Sequence, residues 1–269
     1  MTSFREPVIL GRTGLRVGRL GIASGYGAPA AAIEEAFERG ANYLTWGTVI
    51  MGYKPQMRKA LRNIVAKGQR DRLVLAAFSY AHNNYFTEKM LRRGLKSAGL
   101  AHADVLILGY FSGKVPRRLV EGALRMKEKG LVRFIGISSH NRKLLGKLAQ
   151  SGEFDVLHLR YNAAHPGAEQ DIFPFLKGER RPGTVAFTAT RWGQLLKEKK
   201  MPPGEKPMTA ADCYRFVLSN PAIDVCMSGA KTIEAMRENL AVFDSGPMSE
   251  DELARARRIG CHVHGPKRR

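Results

Sequence analysis

Four consecutive hydrogen-bonding side chains, Ser138, Ser139, His140 and Asn141, follow an apolar segment that is typical of a buried strand. That segment, residues 132–137, is mostly apolar and β-branched, with glycine close to both ends. Ligands bind at the carboxyl ends of the strands in parallel α/β folds, because the loops there vary while packing holds the strands. We therefore expect this cluster to face a binding site, although Ser139 or Asn141 could instead cap the following helix.

A second polar set follows the next two predicted strands, at residues 160–165 and 188–192. Arg160 and Arg191 are candidates for binding a substrate carboxylate or phosphate, because a guanidinium donates two parallel hydrogen bonds. Three histidines near these strand ends could transfer protons at neutral pH. They are His140, His158 and His165.

Aromatic side chains lie at or just beyond the ends of the second, third and fourth predicted strands. They are Trp46, Tyr53, Phe78, Tyr80, Tyr110 and Phe111. They could form a flat apolar pocket in which Trp46 and Trp192 contact a planar substrate, or they could simply fill space. Tyr53 and Tyr110 are the leading candidates for a general acid, and His165 is the next candidate. For neither tyrosine does the sequence alone identify a partner lysine that would lower the pKa of its hydroxyl.

The composition indicates one large basic domain. The 269 residues, 44% of them hydrophobic, suffice for an ample core, and we treat residues 1–269 as a single unit. The 44 Lys and Arg residues against 24 Asp and Glu residues give a net charge of +20. This charge favours an anionic partner such as a phosphorylated ligand, an acidic protein or nucleic acid. Because aromatic residues are not interleaved with the basic ones, we expect only nonspecific electrostatic binding of nucleic acid.

Neither a membrane span nor a secretory signal is evident in the sequence. No apolar run is long enough to cross a bilayer, and the first residues lack an apolar signal segment, so we expect a cytoplasmic protein with no membrane partner. The cysteines, Cys213, Cys226 and Cys261, are odd in number and too widely spaced for a metal knuckle. We expect reduced, mostly buried thiols and no metal site.

Strand-like and helix-like segments alternate along the chain. The predicted strands lie near residues 20–23, 42–45, 72–77, 103–108, 132–137, 155–159, 183–188 and 223–227. Helical patterns lie near residues 55–66, 86–98, 115–129, 141–150, 168–177, 209–219 and 231–243, with another after Ser249. Eight β/α units are the number that closes a (β/α)8 TIM barrel. The pattern of residues 8–20 predicts an N-terminal β-hairpin at the barrel bottom. The irregular stretch at residues 192–207 predicts a loop over the barrel mouth.

A glycine-rich turn at Gly25, Gly27 and Ala30 imitates a dinucleotide-binding loop. The next predicted strand ends in Thr45, without the Asp or Glu that would hold a ribose in an open Rossmann sheet. The barrel is therefore the favoured fold.

Several segments, in this order and at barrel spacing, resemble the aldo-keto reductase family of NAD(P)H-dependent barrels over nearly the whole chain. They are residues 10–17 (LGRTGLRV), 40–44 (GANYL), 130–139 (GLVRFIGISS), 160–162 (RYN), 218–221 (LSNP), 228–231 (SGAK) and 238–240 (ENL). The resemblance implies a barrel that binds NADP(H) across its mouth.

The resemblance also implies which positions hold the cofactor. Ser138 and Ser139 match the segment that holds the nicotinamide carboxamide, and His158 stands where the family usually has Gln. Phe187 matches the aromatic residue that stacks on the nicotinamide ring, although it could also be ordinary strand core. The segments that hold the adenosine part are matched by Ser228, Gly229, Ala230, Lys231, Glu238 and Asn239. Lys231, with Arg237 nearby, favours NADPH over NADH.

The catalytic positions of the family are not matched. Its members carry Asp, Tyr, Lys and His, and the Tyr hydroxyl protonates the substrate carbonyl as hydride arrives. The aligned residues here are Thr45, Ile50, Phe78 and Gly109. None of these side chains can take over that proton transfer.

Three functions remain open from the sequence. The first is an NADP-dependent oxidoreductase with a rearranged active site, possibly reducing an anionic or aromatic carbonyl compound. The second is a catalytically inactive barrel that binds the cofactor and acts as a sensor or partner subunit. The third is a basic protein that associates with nucleic acid.

Overall fold

The computed structural model describes residues 3–47 and 54–265 of the chain. The chain begins with a hairpin in which β1 (Val8–Ile9) pairs antiparallel with β2 (Arg16–Val17). A 3₁₀ turn at Gly11–Thr13 joins the two strands. Gly11 has a positive φ of 46°, and an added Cβ would lie 2.2 Å from the backbone nitrogen of Gly183, so glycine alone fits this contact.

Eight parallel strands form a closed barrel in sequence order, with the last strand pairing back on the first. They are β3 (Leu20–Ala23), β4 (Tyr43–Gly47), β5 (Val74–Ser79), β6 (Ala103–Leu108), β7 (Val132–Ser139), β8 (Val156–Arg160), β9 (Gly183–Phe187) and β10 (Val225–Ser228). The (β/α)8 prediction is therefore confirmed. The predicted strand boundaries differ by up to two residues; β7, for example, continues through Ser139.

Helices lie between the strands and after the last one. They are α1 (Ala30–Glu38), α2 (Pro55–Ala66), α3 (Asn84–Ala98), α4 (Arg117–Glu128), α5 (Arg142–Ser151), α6 (Ala168–Asp171), α7 (Ala210–Leu218), α8 (Ile233–Leu240) and α9 (Glu250–His264). Their apolar residues recur at helical spacing; in α4, Leu119, Ala123 and Met126 are buried against the barrel.

The helix predicted at residues 168–177 is much shorter than expected. Helix α6 ends at Asp171 and a 3₁₀ turn, Phe173–Phe175, follows. Pro174 explains the early end, because proline lacks an N–H and disfavours helical geometry in the residue before it. The loop predicted at residues 192–207 contains two 3₁₀ turns, Gln194–Leu196 and Glu198–Lys200.

The barrel interior is an apolar core closed at one end by the hairpin. Leu10, Leu15 and Val17 from the hairpin belong to the same buried cluster as Tyr43 and Val105 inside the barrel. The predicted position of the hairpin at the barrel bottom is therefore confirmed. A second and larger cluster fills the layer between the strands and the helices.

Within residues 3–47 and 54–265, no helix is both long and apolar enough to span a membrane. Two of the three cysteines, Cys213 and Cys226, are buried, and burial raises the pKa of both thiols. Cys261 is exposed on α9.

Candidate active site

A cavity of about 620 Å³ opens at the carboxyl ends of the barrel strands. Its wall includes residues from seven of the eight strands, for example Thr45 on β4, Phe78 on β5 and Met227 on β10. A larger cavity of about 1060 Å³ lies at the opposite end, beside the hairpin, where its charged residues are largely engaged in ion pairs. We take the first cavity as the candidate site, because active sites of (β/α)8 barrels lie at the carboxyl ends of the strands.

Most of the residues expected to hold a cofactor meet in the wall of this cavity. They are Ser138, His158, Phe187, Ser228, Gly229, Glu238 and Asn239. They come from four strands and from α8, so only the closed barrel brings them together. They extend from the carboxyl end of β7 to the last turn of α8.

Ser139, Ala230 and Lys231 do not contribute to the described cavity wall. Ser139 is fully buried, and its hydroxyl donates to the carbonyl oxygen of Phe111. Ala230 packs in the outer core, and Lys231 is exposed to solvent. Asn141 caps α5 by accepting a hydrogen bond from the backbone of Leu144, so the capping interpretation of this residue is confirmed.

The hydroxyl of Ser228 is buried in the cavity wall, and the residue is only 2% exposed. Within the described part of the chain this hydroxyl has no hydrogen-bond partner. Buried polar groups are almost always paired, so an unpaired one in a cavity wall fits a ligand that supplies the missing partner. The neighbouring Gly229 lies against the ring of Tyr26, which an added Cβ would meet at 2.1 Å.

His158 is buried, and its Nε2 lies 2.7 Å from the hydroxyl of Tyr43. Its ring also packs edge-on against Phe78, with 5.1 Å between ring centroids. Because burial penalises the charged imidazolium, the pKa of His158 falls to about 3. The side chain is therefore neutral at physiological pH and is a hydrogen-bonding group, not a charge, in the cavity wall.

The other two histidines are also poor proton donors near neutral pH. Burial, followed by repulsion from Arg160, lowers the pKa of His165 to about 4 and lowers that of His140 as well. The expectation of titration near neutral pH is therefore wrong for His165, whose position is partly desolvated and lies among cations. For His140 the pKa is displaced in the same direction. His165 also lies outside the described cavity wall, with its Nδ1 3.1 Å from the Oδ1 of Asn162.

Tyr110 remains as a candidate acid in the described cavity wall. It is 44% exposed, and its ring packs edge-on against His140, which in turn packs against Phe187. Tyr53 lies outside the described residues, as does Ile50. Tyr80 also lines the cavity, and burial raises the pKa of its hydroxyl.

Thr45 and Phe78, which align with the family's catalytic Asp and Lys, both line the cavity. Gly109, which aligns with the catalytic His, lies next to the ring of Tyr80, and an added Cβ would be 3.0 Å from it. At the three described positions, uncharged residues therefore stand in place of the family's charged groups.

The residues expected to contact substrate separate into three groups. Trp46 is only 2% exposed and packs in the outer core, so it cannot contact a ligand in the cavity. Trp192 lines the cavity and is 60% exposed. Arg160 and Arg191 are half-buried and lie outside the described wall, although Arg191 stands between two wall residues, Thr190 and Trp192.

Sequence reasoning did not assign Tyr26 or Tyr214 to the site, yet both line the cavity, as does Thr190 of the second polar set. Tyr26 lies in the glycine-rich turn noted above, which was a usable signal. Tyr214 is a buried residue of α7, and nothing in its local sequence distinguishes it from core.

The fold is similar to that of an aldo-keto reductase from Bacillus halodurans in its holo form, with a TM-score of 0.75 and 17% sequence identity over 94% of this chain and 96% of that chain. The apo form of that enzyme gives the same score and identity over 94% and 95%. A Pseudomonas aeruginosa protein provisionally assigned to the aldo-keto reductases matches with a TM-score of 0.69 and 16% identity over 90% and 95%.

No protein-family model matches this sequence, and no curated protein is significantly similar to it. The likeness is therefore one of architecture, at an identity too low to transfer an activity. It agrees with the motifs that resemble this family along the sequence. The chain has the (β/α)8 barrel fold of the aldo-keto reductases.

Proposed function

We propose that this chain is an NADP(H)-dependent oxidoreductase that reduces a carbonyl compound with a rearranged set of acid residues. The observation that carries the proposal is the cavity at the carboxyl ends of the strands, which combines Phe187 and Ser138 with the buried, unpartnered hydroxyl of Ser228. The fold shared with aldo-keto reductases supports the same assignment.

The residues present fit a nicotinamide dinucleotide. Phe187 offers a flat apolar face for the nicotinamide ring, and Ser138 offers a hydroxyl for its carboxamide. The hydroxyl of Ser228 and the side chains of Glu238 and Asn239 would hold the adenosine part. When bound, the reduced cofactor supplies a hydride to the substrate.

Proton delivery falls to Tyr110 in this proposal. Tyr110 belongs to the cavity wall, and its ring packs against His140, which packs against Phe187, so the residue lies on the proposed nicotinamide side of the cavity. A positioned general acid contributes about 10²- to 10⁴-fold in rate. Tyr53 is the second candidate.

The experiment measures NADPH oxidation with a panel of neutral, aromatic and charged aldehydes, and NADPH binding by fluorescence. We expect Tyr110→Phe to lower kcat/KM by about 10²- to 10⁴-fold while NADPH affinity stays unchanged. Tyr53→Phe tests the second candidate. Tyr85→Phe, on the exposed start of α3, is the matched control and should have no effect. Absence of NADPH binding would contradict the proposal.

The second candidate function is a catalytically inactive barrel that binds the cofactor and serves as a sensor or partner subunit. The uncharged residues Thr45, Phe78 and Gly109 at the family's catalytic positions favour it. The same experiment separates the two. Tight NADPH binding without turnover of any aldehyde supports the inactive barrel, whereas turnover that depends on one tyrosine supports the reductase.

A further inference from the structure

Three arginines lie at the carboxyl ends of three adjacent strands, on one side of the barrel mouth. Arg142 is the first residue of α5, directly beyond β7, Arg160 is the last residue of β8, and Arg191 lies in the loop after β9. The Nδ2 of Asn162 donates to the carbonyl oxygen of Thr188 at 2.8 Å. This bond ties the loop after β8 to the loop after β9, so the positions of Arg160 and Arg191 are coupled.

Of the three arginines, only Arg142 is neutralised by a carboxylate in the described part of the chain. The Nε of Arg142 lies 2.6 Å from a carboxylate oxygen of Asp171. Among residues 3–47 and 54–265, neither Arg160 nor Arg191 forms an ion pair or a side-chain hydrogen bond. A half-buried guanidinium without an anion is unfavourable, because its lost hydration is not replaced.

The surroundings of Arg160 make its unpaired charge still less favourable. Burial and then the charge of Arg142 lower the pKa of Arg160, and Arg191 acts in the same direction. An oxyanion placed among these groups would relieve both the desolvation and the repulsion. The loop that carries Arg191 also has a left-handed backbone at three residues other than glycine, Thr188, Arg191 and Trp192, a costly geometry that clusters at ligand sites.

Arg160 also lies next to the proposed reaction centre. It pairs in register with Phe187, whose ring lines the cavity. Both Tyr110 and His140 interact electrostatically with Arg160, and both line the same cavity. An anion at Arg160 would therefore lie beside a carbonyl group held near Tyr110.

We propose that Arg160, assisted by Arg191, binds an oxyanion, a carboxylate or a phosphate, carried by the carbonyl substrate. The inference rests on the proposed reductase function and names its substrate class. The oxyanion would lie at the rim, and the carbonyl group would extend into the cavity.

The first test compares kcat/KM for 4-carboxybenzaldehyde with kcat/KM for benzaldehyde. We expect the carboxylated aldehyde to be preferred by about 10- to 150-fold, the factor typical of a charge-assisted hydrogen bond. Arg160→Gln should remove most of this preference. Arg160→Lys should retain part of it, because a lysine keeps the charge without the paired donors. Arg62→Gln, an exposed arginine on α2, is the matched control.

The second test does not depend on turnover or on NADPH. Benzoate, benzamide and inorganic phosphate are titrated into the protein without cofactor, with calorimetry as the readout. Benzoate should bind more tightly than benzamide in the wild type, and Arg160→Gln should abolish the difference.

The two tests distinguish the failure of this inference from that of the reductase assignment. Absence of NADPH binding together with Arg160-dependent benzoate binding would overturn the reductase but support the anion site. Equal binding of benzoate and benzamide in the wild type would overturn the anion site. Binding of phosphate through Arg160, without any preference for benzoate or the carboxylated aldehyde, would assign the site to a free anion and overturn the substrate assignment.

Discussion

His158 occupies a position where the resembling family usually has Gln, and its burial determines what the imidazole can do. The ring is buried inside the barrel, and its Nε2 lies at hydrogen-bond distance, 2.7 Å, from the Tyr43 hydroxyl. Burial strongly favours the neutral form of the imidazole. A neutral imidazole and a glutamine amide both combine a donor group with an acceptor group. The substitution therefore preserves hydrogen bonding at this position while adding a titratable group to the core.

The lowered pKa of His158 predicts that the folded protein loses stability in weak acid. The unfolded chain protonates His158 below a pH of about 6.5, whereas the folded protein does so only near its pKa of about 3. Stability is therefore lost as the pH falls from about 6.5 towards 3, and at pH 5 this group costs about 2 kcal/mol. Urea unfolding measures the free energy of unfolding at pH 7 and pH 5. Between these pH values the wild type should lose about 2 kcal/mol more than the His158→Gln variant. Equal losses in the two proteins would contradict the burial argument.

In the proposed cofactor site, Lys231 is the cation that we expect to contact the 2′-phosphate of NADPH. Arg237, the other cation expected near the 2′-phosphate, is held by Glu35 with an Nε to Oε1 distance of 2.8 Å. We expect NADPH to bind more tightly than NADH, and Lys231→Gln to weaken only NADPH binding, by about 10- to 150-fold. Fluorescence titration of both cofactors measures this, with Lys147→Gln on α5 as the control. A variant with unchanged NADPH affinity would assign the 2′-phosphate to another residue.

At the scale of the elements, buried carboxylates join neighbouring strands at the amino-terminal end of the barrel. Asp224, just before β10, accepts hydrogen bonds from the backbone of Thr184 on β9 at 2.9 Å and from two nitrogens of Arg181 at 2.6 and 2.9 Å. Asp104 on β6 accepts from the backbone of Leu75 on β5 in the same way. These side chains satisfy backbone donors that the ends of the strand ladders leave unpaired.

Removing one of these carboxylates should be strongly destabilising. Asp224→Ala leaves the Thr184 N–H and the partly buried Arg181 guanidinium without their acceptor, so we expect a loss of about 3 to 5 kcal/mol in the free energy of unfolding. Asp71→Ala, at an exposed aspartate, should change it by less than about 0.5 kcal/mol. Chemical denaturation of both variants checks the difference. A loss below about 1 kcal/mol for Asp224→Ala would show that solvent or a neighbour replaces the carboxylate.

The whole molecule carries a net charge of +20, and its described basic residues are distributed among many separate ion pairs. Such a surface attracts any polyanion without selecting a sequence. We expect duplex DNA to bind weakly, with an affinity that falls by about tenfold or more between about 50 and 200 mM salt because counterions are released. Fluorescence anisotropy with two unrelated duplexes measures this. A preference for one duplex at physiological salt would favour the nucleic-acid function instead.

The sequence by itself determined the architecture of this protein. Eight alternating units predicted the barrel, and apolar residues around a tight turn predicted the hairpin that closes its bottom. Ser138, Phe187 and Ser228, which the sequence or the family resemblance singled out, all line the cavity, because each lies at the carboxyl end of a strand and such ends converge in a parallel barrel.

Only the tertiary structure decided which neighbour at each strand end faces the cavity. Successive side chains alternate between the two faces of a strand, so Thr45 lines the cavity while Trp46 packs outward, and Ser138 faces the cavity while Ser139 is buried behind it. Barrel strands are buried on both faces, and their sequences lack the apolar and polar alternation that would reveal which face is which. The histidine pKa values depend in turn on burial and on cations from other loops, which the fold alone brings together.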